Sequence, residues 1–102
     1  MKKKHLMVVA DYYHEIADGL IQSALKLIPK SDTIKIIKVP GVFEIPVTIS
    51  KNIKKYDSFI ALGCVIKGET PHFDFISQAS ISAIMDLSIS SKKPIGNGII
   101  TC

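Results

Sequence analysis

Cysteine is scarce in this chain: Cys64 and Cys102 are the only two, too few and too far apart for a metal-binding motif. Both fall in apolar runs, where reduced core thiols of a cytosolic protein are expected. Long hydrophobic runs are missing as well. Charges interrupt every apolar stretch well before bilayer length, and no segment has the make-up of a signal peptide, so a membrane partner is not expected. Repeats and low-complexity segments are absent. A basic face for nucleic acid is absent too, although the formal charge is +4. Lys2, Lys3 and Lys4 make up much of that excess, and such a terminal run is ordinarily solvated. The charge balance therefore favours small anionic ligands and gives no reason to expect DNA or RNA.

What is present is apolar content. With 47% hydrophobic residues in 102, the chain can bury a modest core, and residues 1–102 read as one small domain.

The most informative stretch runs from Gly63 to Phe75. An apolar, β-branched run from Phe59 to Ile66 has the length of a buried strand and breaks at Lys67-Gly68. Thr70 then stands where a helix N-cap belongs, and Pro71 fits the first helical position, where its missing N–H costs nothing. Strand, tight turn and helix N-terminus together set free backbone N–H groups beside the Lys67 ammonium, the make-up of a phosphate site over Lys67, Gly68, Glu69 and Thr70. His72 falls in the same first turn, so a titratable base would stand beside the bound anion. Each feature also has an ordinary reading: a Gly turn is common α/β architecture, and a lone His at a helix start is usually a surface or capping residue.

The rest of the chain alternates strands with helices. His5 to Ala10 is a first buried strand, and Asp11 can cap the helix after it. Ile16, Leu20, Ala24 and Leu27 recur at helical spacing, predicting a helix from Tyr13 to Ile28 before Pro29. Thr33 to Val39 is a second strand ending at Pro40-Gly41. Glu44 opens a second helix with Ile45, Ile49 and Ile53 on one face. Ser58 to Ile66 is the third strand. Pro71 to about Ser90 is the third helix, with Ile76, Ala79, Ala83, Ile84 and Leu87 inward. Pro94 to Thr101 is a fourth strand. Parallel neighbours need crossovers, so the alternation predicts a parallel sheet. Ligands of such sheets sit at the carboxyl ends of the strands. The residues expected there are Asp11 to Tyr13, Pro40 to Glu44, Lys67 to His72 and those around Asn97.

Two long motifs carry a resemblance. Val39-Pro40-Gly41-Val42-Phe43-Glu44-Ile45-Pro46, followed at the right distance by Gly63-Cys64-Val65-Ile66-Lys67-Gly68-Glu69-Thr70-Pro71-His72-Phe73-Asp74, is similar to the 6,7-dimethyl-8-ribityllumazine synthases. Ala10-Asp11-Tyr12-Tyr13 and Pro94-Ile95-Gly96-Asn97-Gly98-Ile99-Ile100-Thr101 match in order. The resemblance implies a flavodoxin-like α/β three-layer sandwich with strand order 2-1-3-4, assembled as a pentamer or as an icosahedral shell of pentamers. It implies the condensation of 5-amino-6-(D-ribitylamino)uracil with 3,4-dihydroxy-2-butanone 4-phosphate in riboflavin biosynthesis, with no metal and no organic cofactor.

By that resemblance Tyr12 stacks on the pyrimidine, at a position where Phe is common. Val42, Phe43 and Glu44 meet the ribityl chain. Cys64, Val65 and Ile66 line the ring's polar edge through main-chain groups. Glu69 and Thr70 belong to the phosphate turn, and His72 transfers protons. Asn97 is a wall residue contributed by a neighbouring subunit. Two departures stand out. Asp11 occupies a position where Arg is common. The chain stops at Cys102, whereas the family continues through two helices that carry an arginine for the phosphate. A chain lacking those helices is expected to be poorly active and prone to associate through an uncovered sheet face. Other readings are an inactive pseudo-enzyme, a flavin- or lumazine-binding module, and a structural subunit of a shell.

Overall fold

A computed structural model describes residues 2–66 and 73–101. The strands are β1 (Lys4–Ala10), β2 (Thr33–Val39), β3 (Ser58–Val65) and β4 (Ile95–Thr101), all parallel and ordered β2-β1-β3-β4. The helices are α1 (His14–Leu25), α2 (Ile45–Lys51) and α3 (Phe73–Ser91), and a 3₁₀ turn at Val42–Glu44 leads into α2. This is a flavodoxin-like α/β arrangement.

β1 lies inside the sheet and is apolar on both faces, as a parallel strand covered on both sides must be. Leu6, Met7, Val8 and Val9 have no exposed surface, each burial contributing about 1.5–3 kcal/mol before entropy is counted. Alternation along the strand divides them. Leu6 and Val8 pack with Ile45, Ile49, Phe59, Ala61 and Ile84 under α2 and α3. Met7 and Val9 pack with Ala17, Ile21 and Leu62 under α1. One helix therefore covers one face and two helices cover the other, as right-handed crossovers in this strand order require. Beside α1 an open groove of about 620 Å³ runs over β3 and β4, bordered by Leu27, Ile28, Pro29, Ile60 and Gly96. No helix among the described residues is long and apolar enough to cross a membrane.

Several local expectations are corrected. The helical face of α1 is Ala17, Leu20, Ile21 and Ala24; Ile16 is 36% exposed and Leu27 is 85% exposed. The helix stops at Leu25, so Leu27 and Ile28 belong to the turn after it. Asp11 does not cap α1. Tyr13 is the N-cap residue and makes no side-chain capping bond, while the Asp11 carboxylate pairs with His14 Nδ1 at 3.0 Å. Ile53 packs on the core from beyond the end of α2. On α3 the buried positions are Ser77, Ser80 and Ile84, whereas Ile76, Ala79 and Ala83 are half-buried. Apolar periodicity could not find a helix face on which serines point inward.

The amino edge of the sheet is tied by side chains. The His5 ring bridges Asp32 and Ser58, with Nε2 2.7 Å from Asp32 Oδ2 and Nδ1 hydrogen-bonded to Ser58 Oγ. An ionised carboxylate only accepts, so Nε2 carries the hydrogen toward Asp32, while Nδ1 is bonded to the Ser58 hydroxyl. One side chain of β1 thus joins the segment before β2 to the start of β3. The bond from His5 is the main cause holding the Asp32 carboxyl below its ordinary titration range, with the Lys3 backbone N–H second; burial opposes both.

Two stability predictions follow from these contacts. A carboxyl titrating lower in the folded chain than in the unfolded one adds stability above the unfolded value, which is lost as pH falls through the folded value. Urea midpoints of the parent should therefore drop below about pH 4, and Asp32→Asn should flatten that acid limb while lowering the midpoint at neutral pH. The second concerns Gly63, where a Cβ would stand 2.9 Å from Val42 Cγ2 and 3.1 Å from the Ala10 Cβ. Gly63→Ala should cost about 1–3 kcal/mol in urea unfolding. Gly19→Ala, in an exposed turn of α1 with nothing within 4 Å, should instead stabilise by about 0.5–1 kcal/mol. Opposite signs are the expected result; a common sign would show that helix propensity and packing do not govern these glycines.

Candidate functional site

The carboxyl edge of the sheet gathers residues from three strand ends. β1 and β2 finish level, with Ala10 paired to Val39 and the Asp11 N–H donating to the Val39 carbonyl at 2.9 Å. Tyr12 follows directly, 69% exposed, its ring set edge-on to Tyr13 at 4.8 Å between centroids. An exposed aromatic just past a buried strand presents a face on which a flat heterocycle can stack.

From β2 the chain turns through Pro40-Gly41 into the 3₁₀ turn. Val42 is buried and Phe43 is 58% exposed, so the turn is anchored by the first residue and offers the second. The Glu44 N–H donates to the Gly41 carbonyl at 3.2 Å, and the Glu44 carboxylate folds back so that Oε2 would touch a Cβ at Gly41. Any side chain there would displace the carboxylate. Thr48 Oγ1 donates to the Glu44 carbonyl at 3.0 Å, securing the start of α2.

Gly63 lets β3 approach both. Its bare Cα leaves room for Val42 and Ala10, so the 3₁₀ turn and the end of β1 close on β3. Beyond it Cys64 and Val65 are buried and Ile66 is half-buried. Side chains alternate here, with Val65 in the core beneath α2 and α3 and Cys64 turned to the α1 face. With both side chains turned inward, the polar groups that this strand end can offer a ligand are those of its main chain. Asp11 adds an unusual feature at the same edge: its Oδ1 is buried without a hydrogen-bond partner among the described residues.

Of the residues expected from the sequence, Tyr12, Val42, Phe43, Glu44, Cys64, Val65 and Ile66 thus share one edge. Asn97 does not join them. It sits mid-strand opposite Ala61, exposed, with Oδ1 accepting from the Ile99 N–H at 3.0 Å. Lys67, Gly68, Glu69, Thr70 and His72 lie outside the described residues. Among the described residues no group of three or more His, Cys, Asp or Glu side chains is arranged to hold a metal. Sequence reasoning missed Ser80 of α3, which is 1% exposed and directs its hydroxyl at the Val42 carbonyl, 3.4 Å away. A serine inside an apolar helical pattern was the available signal.

Comparison with known proteins is consistent across the chain. Residues 2–102 match the family described as 6,7-dimethyl-8-ribityllumazine synthase. A relative of that name from Agrobacterium fabrum is 44% identical over 110 aligned positions, covering 99% of this chain and 74% of the relative. One from Bartonella tribocorum is 42% identical, covering 98% and 70%. A third, 6,7-dimethyl-8-ribityllumazine synthase 1 of Rhodopseudomonas palustris, is 44% identical, covering 94% and 64%. A match of that extent, on a parallel sheet in the order β2-β1-β3-β4, places this chain in the 6,7-dimethyl-8-ribityllumazine synthase family.

Proposed function

We propose that the chain condenses 5-amino-6-(D-ribitylamino)uracil with 3,4-dihydroxy-2-butanone 4-phosphate to give 6,7-dimethyl-8-ribityllumazine, phosphate and water, a step of riboflavin biosynthesis. The observation that carries this reading is the shared carboxyl edge, where Tyr12, the Val42–Glu44 turn and the end of β3 meet around Gly63. Tyr12 stacks on the pyrimidine. Phe43 and Glu44, with the Val42 main chain, receive the ribityl chain, whose hydroxyls suit a carboxylate acceptor. The main chain of Cys64, Val65 and Ile66 meets the ring's polar edge.

The four-carbon substrate is assigned to Lys67, Gly68, Glu69 and Thr70, on the strength of their motif and of the anion affinity of a helix N-terminus. His72 is the proton-transfer residue. The ring amine attacks the ketone carbon and water leaves; proton loss then drives out phosphate, and ring closure expels a second water. Every step moves a proton, so one base near neutrality serves repeatedly, a contribution of about 10²–10⁴-fold. Holding two reactants together supplies much of the remainder. The whole of residues 1–102 acts as one domain in this reading, in the cytoplasm, and the chain assembles as a pentamer or a shell of pentamers. Assembly accounts for Asn97: exposed in the middle of edge strand β4, it is available to a neighbour's site and remote from its own.

Mixing the protein with both substrates should produce lumazine absorbance and fluorescence, and His72→Asn should lower turnover by about 10² with less effect on affinity. Binding of lumazine without its formation would instead favour a binding module, and turnover within about twofold of the parent would remove His72 from the mechanism. Inorganic phosphate should compete with the butanone phosphate and hardly with the pyrimidine. Displacement of the pyrimidine alone would overturn the assignment of residues 67–70.

A further inference from the structure

Val42 opens the turn that leads into α2, and its carbonyl accepts from the Ile45 N–H while lacking the further helical donor at residue 46. In a continuing helix that oxygen would accept from residue 46. Residue 46 is Pro, which has no N–H, and the backbone offers only the Ile45 N–H, which bonds to the Val42 oxygen as the turn closes. Ser80 reaches the same oxygen from α3. Its side chain is 1% exposed, deep between α3 and the turn, and its hydroxyl lies 3.4 Å from the Val42 carbonyl. A buried hydroxyl is costly without a partner. Ser77, one turn earlier on the same face, is buried with no hydrogen-bond partner among the described residues, so a serine at this face does not by itself find one there.

We propose that Ser80 is a positioning residue for pyrimidine binding. Its hydroxyl replaces the donor that Pro46 lacks, and so holds Val42 to Glu44 in the pose that receives the ribityl chain. This rests on the function proposed above and adds to it a residue outside the motifs that suggested it. At 3.4 Å the bond is slack compared with an ordinary hydroxyl–carbonyl bond, so it limits the turn's freedom more than it adds to overall stability. The effect belongs in the binding of one substrate, because the turn faces the ribityl side and the phosphate site begins on another element.

The test compares Ser80→Ala, Ser80→Cys and Ser77→Ala in the whole chain, by steady-state kinetics and by hydrogen exchange of the peptide covering residues 42–48. Ser80→Ala should raise KM for the ribitylaminouracil about fivefold, leaving kcat and KM for the butanone phosphate within about twofold. The same variant should speed exchange in that peptide without substrate present. Ser80→Cys, which keeps a weak donor, should recover part of both effects, and Ser77→Ala should match the parent. Unchanged exchange and unchanged pyrimidine KM in Ser80→Ala would overturn the proposal. So would equal effects of Ser80→Ala and Ser77→Ala, which would mark a packing role. Should the parent form no lumazine, the proposed function falls, and the exchange comparison alone still decides whether Ser80 holds the turn.

Discussion

The carboxyl edge is built around a space that a side chain would fill. At Gly63 the end of β3 lies so close to Val42 and Ala10 that a Cβ would stand 2.9 and 3.1 Å from their atoms. That approach sets the depth of the Val42–Glu44 turn against the sheet, and with it the direction in which Phe43 and Glu44 leave the surface. It also brings the end of β1, and therefore Tyr12, beside the end of β3. Protein interiors are close-packed, and a shift of a few tenths of an ångström at such a point passes to every element leaning on it.

The two edges of the sheet do different work. At the amino edge His5, Asp32 and Ser58 are tied side chain to side chain across three segments, largely withdrawn from water. Lys93 adds to this edge by donating from Nζ to the Ile53 and Tyr56 carbonyls at 2.5 and 2.8 Å, closing the loop between α2 and β3. At the carboxyl edge the aromatic rings of Tyr12 and Phe43 stand in solvent, and Asp11 keeps a buried oxygen with no partner among the described residues. Satisfied groups at one edge and unsatisfied or exposed ones at the other are what a parallel sheet with ligand chemistry at its strand ends should show.

Much of the architecture was legible because its signals are local. β2 begins at Thr33 and ends at Val39 as expected, since Pro40-Gly41 cannot extend the ladder and the isoleucines before it favour a strand. β1 and β3 were legible as unbroken apolar runs. The helix faces were less so. Ile16 and Leu27 have the right spacing for α1, but the docking of the helix on Met7, Val9 and Leu62 is set by small Ala17 and by Ile21. On α3 the apolar pattern placed Ile84 and Leu87 on the inward face correctly, but that face also carries Ser77 and Ser80, which no hydrophobic count could have found. The candidate residues on β1, the turn and β3 lie at the carboxyl edge, where the alternation of strands and helices put them. Asn97 does not: β4 ends at Thr101 as expected, and Asn97 pairs with Ala61 in the middle of the ladder, short of the strand end.

The proposed site would read its ligand largely through main-chain groups, which puts selectivity in backbone positions that a sequence controls only indirectly. Here the controlling residues have little or no chemistry of their own. Gly41 leaves room for the Glu44 carboxylate, and Gly63 lets three elements meet. Pro46 withholds an N–H, and Ser80 offers a hydroxyl in its stead. Side chains that face the ligand in the proposed site have more freedom, because an aromatic face such as that of Tyr12 is all that stacking needs. The backbone-setting residues have less freedom. A Cβ at Gly63 collides at once, and an N–H at residue 46 would give the Val42 carbonyl a helical partner and make the Ser80 hydroxyl superfluous. The sequence features that matter most to this edge are therefore those that hold the chain in place, and only then those that touch what it binds.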